Sequence, residues 1–366
     1  MTARTLLAHN GARIFGGAER YLVRLLVRLQ ERGHRVAFLC RDESIAERAR
    51  ALGVPAEVAR LGGHASLHHA ARFAAQLRRH RPDALLLGTF KKTWLGAMGA
   101  RRAGVPRVVA RIGLATDLPG RSPLYRVAFG RWIDRVVVNA DELRAPVLAG
   151  VPELSTEHVV VIHNGVDAPR SVLPAGALRR ELGIPADAPV VGAVARLASQ
   201  KRLDLLLRAV AHLEGVRCVL AGDGSERAAL ERLADELGIR GRVVFLGHRE
   251  DVGDVLAALD LFVVTSHVEG MSNAMLEALA AGVPVVSTPV SGAREALEPL
   301  ADGRWPGRVV EASEQAVAAA LAALLGDPAE RAAMRDAART RARERFAWPA
   351  LLDRWEAVLA GDRSIS

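Results

Sequence analysis

The stretch LFVVTSHVEGMSNAMLEALAAGVPVVSTPVSGAREAL, residues 261–297, decides how the chain is read. Leu261 to Ser266 is a continuous apolar run of strand length. Ser272 or Asn273 can cap a helix, Gly282 stops it, and Val283 to Ser287 forms a second buried strand before a Pro/Ser/Gly turn. Two carboxylates bracket the helix start: Glu269 in the loop and Glu277 little more than a turn into the helix. Between them the backbone N–H groups of Gly270, Met271, Ser272 and Asn273 gather at a helix N-terminus beyond a parallel strand. Such a place offers donors to an oxygen-rich ligand and two acceptors to hydroxyl groups.

A sugar nucleotide has both needs, and here a resemblance enters. Glu269-Gly-Met-Ser-Asn-Ala-Met-Leu-Glu277, followed by Ala-Leu-Ala-Ala-Gly-Val-Pro-Val-Val, resembles the E-x7-E signature of retaining GT-B glycosyltransferases, in particular family 4. A lone glutamate there would read as a solvated helix charge; the pair at this spacing, with its flanking strands, is a stronger signal.

Length and composition fit that frame. A chain of 366 residues suggests two domains, and 50% apolar content fills two cores. No apolar run reaches the ~18 residues of a membrane span. The N-terminal segment meets a glycine loop too soon for a secretory signal. Cys40 and Cys218, the only cysteines, indicate neither a disulfide framework nor a thiolate metal site. The expectation is a soluble cytoplasmic protein. Residues 1–168 carry 26 Lys+Arg against 14 Asp+Glu, a net of +12, whereas residues 169–366 carry 24 against 27, a net of −3, which together give +9. A half this basic expects an anionic partner, either phosphates, an acidic glycolipid, a membrane surface or nucleic acid. Because 47 of the 50 cations are arginine, composition explains the choice of arginine but not its confinement to the first half.

Strands and helices alternate throughout, which argues for parallel sheets covered on both faces. Strands are expected at about 4–9, 35–40, 84–88, 107–111 and 135–139, with helices near 18–32, 44–52, 66–80 and 93–103. Gly16 and Gly17 precede the first helix, where missing side chains let backbone amides approach a phosphate; Gly-Gly-Ala-Glu resembles the family loop that faces the donor diphosphate. Lys91, Lys92 and Arg111 are expected in loops after strands, where they could hold an anionic acceptor. Many family members have a histidine where Arg111 stands, so this chain departs from the pattern. Tyr125, Phe129 and Trp132 share a helical face flanked by Arg126, Arg131 and Arg135, which suits either an anionic membrane surface or a core-facing helix with snorkelling arginines.

His163-Asn-Gly-Val-Asp-Ala-Pro marks a turn and resembles the interdomain crossover, placing the domains at 1–167 and 168–345, with a final helix at about 346–366 that in the family packs back on the first domain. In the second domain Arg196 leaves a strand end and Lys201 precedes the next helix, so both can converge on one diphosphate; the segment resembles the R-x4-K phosphate site. Gly247 and His248 fall where the family places the nucleobase.

The resemblance implies a GT-B fold of two Rossmann-like domains facing across a cleft. It implies transfer of a sugar, with retention, from a nucleotide-sugar donor to a glycan or glycolipid acceptor in cell-surface polysaccharide or lipopolysaccharide synthesis at the inner membrane face. Glu269, Arg196 and Lys201 would be catalytic and Glu277 would take the ribose hydroxyls. No D-x-D pair stands ready to bridge a metal to a diphosphate, so no metal or other cofactor is expected. A GT-B epimerase or hydrolase would share the cleft. A nucleic-acid-binding protein would use the basic half but leave both glutamates idle, and no nucleic acid is expected. An NAD oxidoreductase lacks its G-x-G-x-x-G after the first strand.

Overall fold

The computed structural model describes residues 2–61, 67–88, 92–114, 122–362 and 364–365. Two compact units are present, Met1–Gly165 with Trp348–Ser366, and Val166–Ala347. The first holds strands β1 (Thr5–Asn10), β2 (Arg35–Cys40), β3 (Ala56–Val58), β4 (Ala84–Leu87), β5 (Arg107–Ile112), β6 (Arg135–Val138) and β7 (Val159–Val161). The second holds β8 (Val190–Val194), β9 (Arg217–Ala221), β10 (Val243–Gly247), β11 (Leu261–Val264), β12 (Val285–Ser287) and β13 (Gly307–Val309). Their orders are β3-β2-β1-β4-β5-β6-β7 and β10-β9-β8-β11-β12-β13. All pairings within these sheets are parallel, with Leu6 opposite both Val36 and Ala84, and Phe262 opposite Val285.

The strands are apolar because helices cover both faces. Ala84, Leu85, Leu86 and Leu87 are all buried, as are Leu22, Leu25, Leu26 and Leu29, which form one stripe of the helix Gly17–Glu31. β3, β7 and β13, of three residues each, are not among the strands expected from the sequence.

The first unit is closed by the helix Trp348–Ala360, whose Trp348, Leu351, Leu352, Trp355, Val358 and Leu359 join the core around β1 and β2. Trp355 Nε1 donates to Tyr21 Oη at 3.0 Å, and the Trp348 ring stacks on Tyr21 with centroids 5.6 Å apart. Gly165 makes room for Trp348, since a Cβ there would lie 2.5 Å from the indole. On the buried side of this helix Glu356 accepts from Arg32 at 2.6 Å and from His34 Nε2 at 2.9 Å, while His34 Nδ1 accepts the Arg4 N–H.

The aromatic face at 125–132 turns inward. The helix Pro123–Val127 continues as a π-helical turn, Ala128–Trp132, in which Phe129 is fully buried. Tyr125 Oη accepts the Lys92 N–H at 2.9 Å, Arg126 pairs with Glu153, and Leu124 and Val127 are the exposed apolar residues of the segment.

Candidate functional site

In the second sheet the chain runs from β8 to β9 and β10 on one side and then returns to β11 on the other, so the strand order reverses between β8 and β11. Loops leaving the carboxyl ends of strands at such a reversal part from each other and leave a crevice. The loop after β8 carries Arg196 and Lys201; the loop after β11 carries Glu269 to Ser272.

Arg196 is exposed and makes no side-chain hydrogen bond or ion pair among the described residues. Ser199–Lys201 is a single 3₁₀ turn, followed by Arg202 in the left-handed region at φ 47°. Three hydrogen bonds stitch this turn to the neighbouring loop. Thr265 Oγ1 donates to the Lys201 carbonyl at 3.0 Å, the His267 N–H to the Gln200 carbonyl at 2.8 Å, and Gln200 Nε2 to the Val268 carbonyl at 2.6 Å. The stitching brings Lys201 Nζ onto Glu269 Oε1 as an ion pair, and Ser266 Oγ donates to that same oxygen at 2.8 Å. The side chains of Lys201 and Glu269 are only 21% and 11% exposed, so water screens the pair less than a surface bridge.

Ser272 caps the helix Asn273–Ala281, its Oγ accepting the Met275 N–H at 3.4 Å. Gly270 and Met271 are buried beneath the turn at Gly292, whose positive φ of +74° and lack of a Cβ let it lie against them. Glu277 is half-buried on the same helix, which Gly282 ends at φ +76°. Gly222 and Gly224, in the loop after β9, touch the backbone of the Arg196 loop; a Cβ at Gly222 would lie 1.8 Å from the Ala195 carbonyl oxygen. Gly247 ends β10 and its carbonyl accepts the Gly222 N–H at 2.7 Å, with His248 exposed beyond it. The expected donor-side residues of the second unit therefore lie in loops and a helix start that follow the carboxyl ends of strands of one sheet. Ser266 and Gln200, which hold two of them in place, are additions made by the structure. Their only sequence signal is a polar side chain just inside each loop.

The first sheet reverses in the same way between β1 and β4. There the Gly16 N–H donates to Glu19 Oε2 at 2.8 Å while Asn10 Nδ2 donates to Glu19 Oε1 at 2.9 Å, so a phosphate at Gly16 must displace a buried carboxylate. Gly17 opens the helix. Lys92 adopts φ 67° and its Nζ donates to the Leu61 carbonyl at 3.2 Å; Lys91 lies outside the described residues. The expectation that Arg111 sits in a loop is corrected. It belongs to β5, which runs on to Ile112, and is 4% exposed. Its Nη2 donates to Asn164 Oδ1 at 2.7 Å, its guanidinium lies 4.5 Å over the Tyr21 ring, and burial pulls its pKa below the ordinary arginine value. At the end of β1, His9 is also buried; Nε2 donates to the Ala59 carbonyl at 3.1 Å, and burial lowers its pKa to about 4.

Among the described residues no three His, Cys, Asp or Glu side chains are grouped to hold a metal, and no helix is long and apolar enough to cross a membrane.

Comparison with known proteins follows the same division. The family model for glycosyl transferases group 1 matches residues 175–341, and that for Glycosyltransferase Family 4 matches residues 15–170. A lipopolysaccharide core biosynthesis glycosyltransferase, LpsE, of Rhizobium meliloti is 47% identical over 114 residues, 31% of this chain and 34% of LpsE. A D-inositol 3-phosphate glycosyltransferase of Mycolicibacterium paratuberculosis is 36% identical over 240 residues, 63% of this chain and 52% of that protein. The chain thus spans between about a third and a half of the length of these relatives. The crystal structure of Anabaena HepE with UDP and glucose superposes with a TM-score of 0.84 at 25% identity, covering 98% of this chain and 99% of HepE.

Proposed function

The chain belongs to the family 4 glycosyltransferases, with the GT-B fold, and we propose that it transfers a sugar from a nucleotide-sugar donor to a glycan or glycolipid acceptor. The observation that carries this is the Lys201–Glu269 pair at the β8/β11 reversal, with Arg196 exposed beside it on the same loop. An ammonium and a guanidinium on one loop suit a diphosphate, and a carboxylate held beside them suits the sugar hydroxyls it carries. The names of the relatives point the same way: HepE was crystallised with UDP and glucose, and LpsE acts in lipopolysaccharide core synthesis.

In this mechanism the bond between the anomeric carbon and the diphosphate oxygen breaks as the acceptor oxygen attacks from the same face. The acceptor's proton passes to the departing phosphate oxygen, and the configuration is retained. Arg196 and Lys201 neutralise the charge that develops on the diphosphate, the place a divalent ion would otherwise fill. Glu277 accepts from the ribose hydroxyls; Glu269 and the N–H groups of Gly270 to Asn273 hold the sugar. The net of +12 in residues 1–168 favours an anionic acceptor presented at the inner face of the cytoplasmic membrane.

A thermal-shift panel of UDP-glucose, UDP-galactose, UDP-N-acetylglucosamine and GDP-mannose tests the donor. One of them should raise the melting temperature and be turned over to its nucleoside diphosphate, with the rate unchanged by EDTA. Failure of all four to bind would sink the reading; a complete loss in EDTA that Mg²⁺ restores would remove the role given to Arg196 and Lys201.

A further inference from the structure

Resting on that reading, we propose that Ser266 is the positioning residue that keeps the Glu269 carboxylate aimed at the donor sugar. The last torsion of a glutamate is broad and sets itself poorly, so a carboxylate that must present one particular oxygen needs the other one pinned. Glu269 has that arrangement. Oε1 receives both the Lys201 ammonium and the Ser266 hydroxyl, at 2.8 Å for the latter, and Oε2 is engaged by no described side chain.

The two donors differ in what else claims them. Lys201 has three N–H groups and faces a second anion once a diphosphate arrives, so its hold on Glu269 weakens at the moment the sugar has to be placed. Among the described residues the Ser266 hydroxyl has no other acceptor. Its residue is 5% exposed and fixed from below, where Thr288 Oγ1, itself buried, donates to the Ser266 carbonyl at 3.0 Å. Thr288 lies one residue past β12 and Ser266 two residues past β11, so the exits of two adjacent strands back the glutamate. The same geometry accounts for a lysine at 201 in a chain whose other described lysine is Lys92. A compact ammonium shares its hydrogens between Glu269 and a phosphate, whereas a planar guanidinium forks onto one partner.

The test measures turnover of whichever of the four panel sugars the wild type uses, beside titration with the matching nucleoside diphosphate. Ser266→Ala should lower kcat about tenfold, while nucleoside diphosphate affinity stays within about threefold. Ser266→Cys keeps the packing with only a weak donor, and should fall with it; Ser266→Thr keeps the hydroxyl and should recover most of the rate. In a Glu269→Gln background, Ser266→Ala should cost less than twofold, because the group it positions is already changed. Wild-type kcat in Ser266→Ala, or an equal loss in both backgrounds, overturns the positioning role while leaving the glycosyltransferase reading intact. A wild type that turns over none of the four sugars overturns both.

Discussion

The two sheets reverse their strand order in the same way, between β1 and β4 and between β8 and β11, yet the polar groups at the two reversals are in opposite states. At the second, Arg196 is exposed without a partner and Glu269 has one oxygen to spare. At the first, Glu19 uses both oxygens on the Gly16 N–H and Asn10, and Lys92 is tied to a backbone carbonyl. Arg111 is buried over Tyr21, feels the charge of Glu19 and bonds Asn164, with its Nε left unbonded among the described residues. A shared reversal of strand order therefore does not make two equivalent sites. What separates them is which polar atoms retain hydrogen-bonding capacity after the chain has folded.

Three measurements break or sharpen that contrast. The largest effect is expected from Lys201→Ala, which leaves Glu269 with an uncompensated charge and removes a cation from the diphosphate. Turnover should fall at least ~100-fold, the scale of losing one electrostatic donor from a reacting centre. A tenfold loss or less would make the second reversal no more functional than the first. Next comes acid stability, which the contrast assigns to the first unit. His9 is protonated at about 4 when folded but at 6.5 when unfolded, so stability is fully present above pH 6.5 and is lost as pH falls toward 4. By pH 5 the loss is about 2 kcal/mol at ~1.36 kcal/mol per unit. Urea midpoints at pH 7 and pH 5 should converge in His9→Gln; an unchanged difference between the two pH values would remove His9 from the cause. The smallest effect is expected from Arg111→Met, which removes a buried cation that its neighbours already enclose. Isothermal titration should give nucleotide affinity within threefold of wild type, and a loss of tenfold or more would show that the first reversal also serves the donor.

The residues of the second reversal could be read from the chain because each stands at the exit of an apolar strand long enough to recognise. Lys201 and Glu269 were legible as two separate motifs, but their contact was not, since they are 68 residues apart and meet only through the stitching by Gln200 and Thr265. Which residue caps the helix after β11 was open between Ser272 and Asn273; the side-chain bond to Met275 assigns it to Ser272. Arg111 was misjudged for a different reason. A charge at the end of an apolar run reads as a strand exit, and only its distant partners Asn164 and Tyr21 reveal that the strand continues with the charge inside. The aromatic residues near 125–132 were ambiguous because a core-facing and a membrane-facing helix need the same spacing, and burial of Phe129 turns that segment toward the core.

The helix Trp348–Ala360 bears on the order in which the protein is made. A ribosome releases β1 to β7 first, then all of Val166–Ala347, and only then the two tryptophans that cover Tyr21. Until they emerge, the first unit keeps an apolar flank wet around Leu22, Leu25 and Tyr21, while the core of the second unit is drawn wholly from residues already made. Of the two units, the first is begun before the second and completed after it.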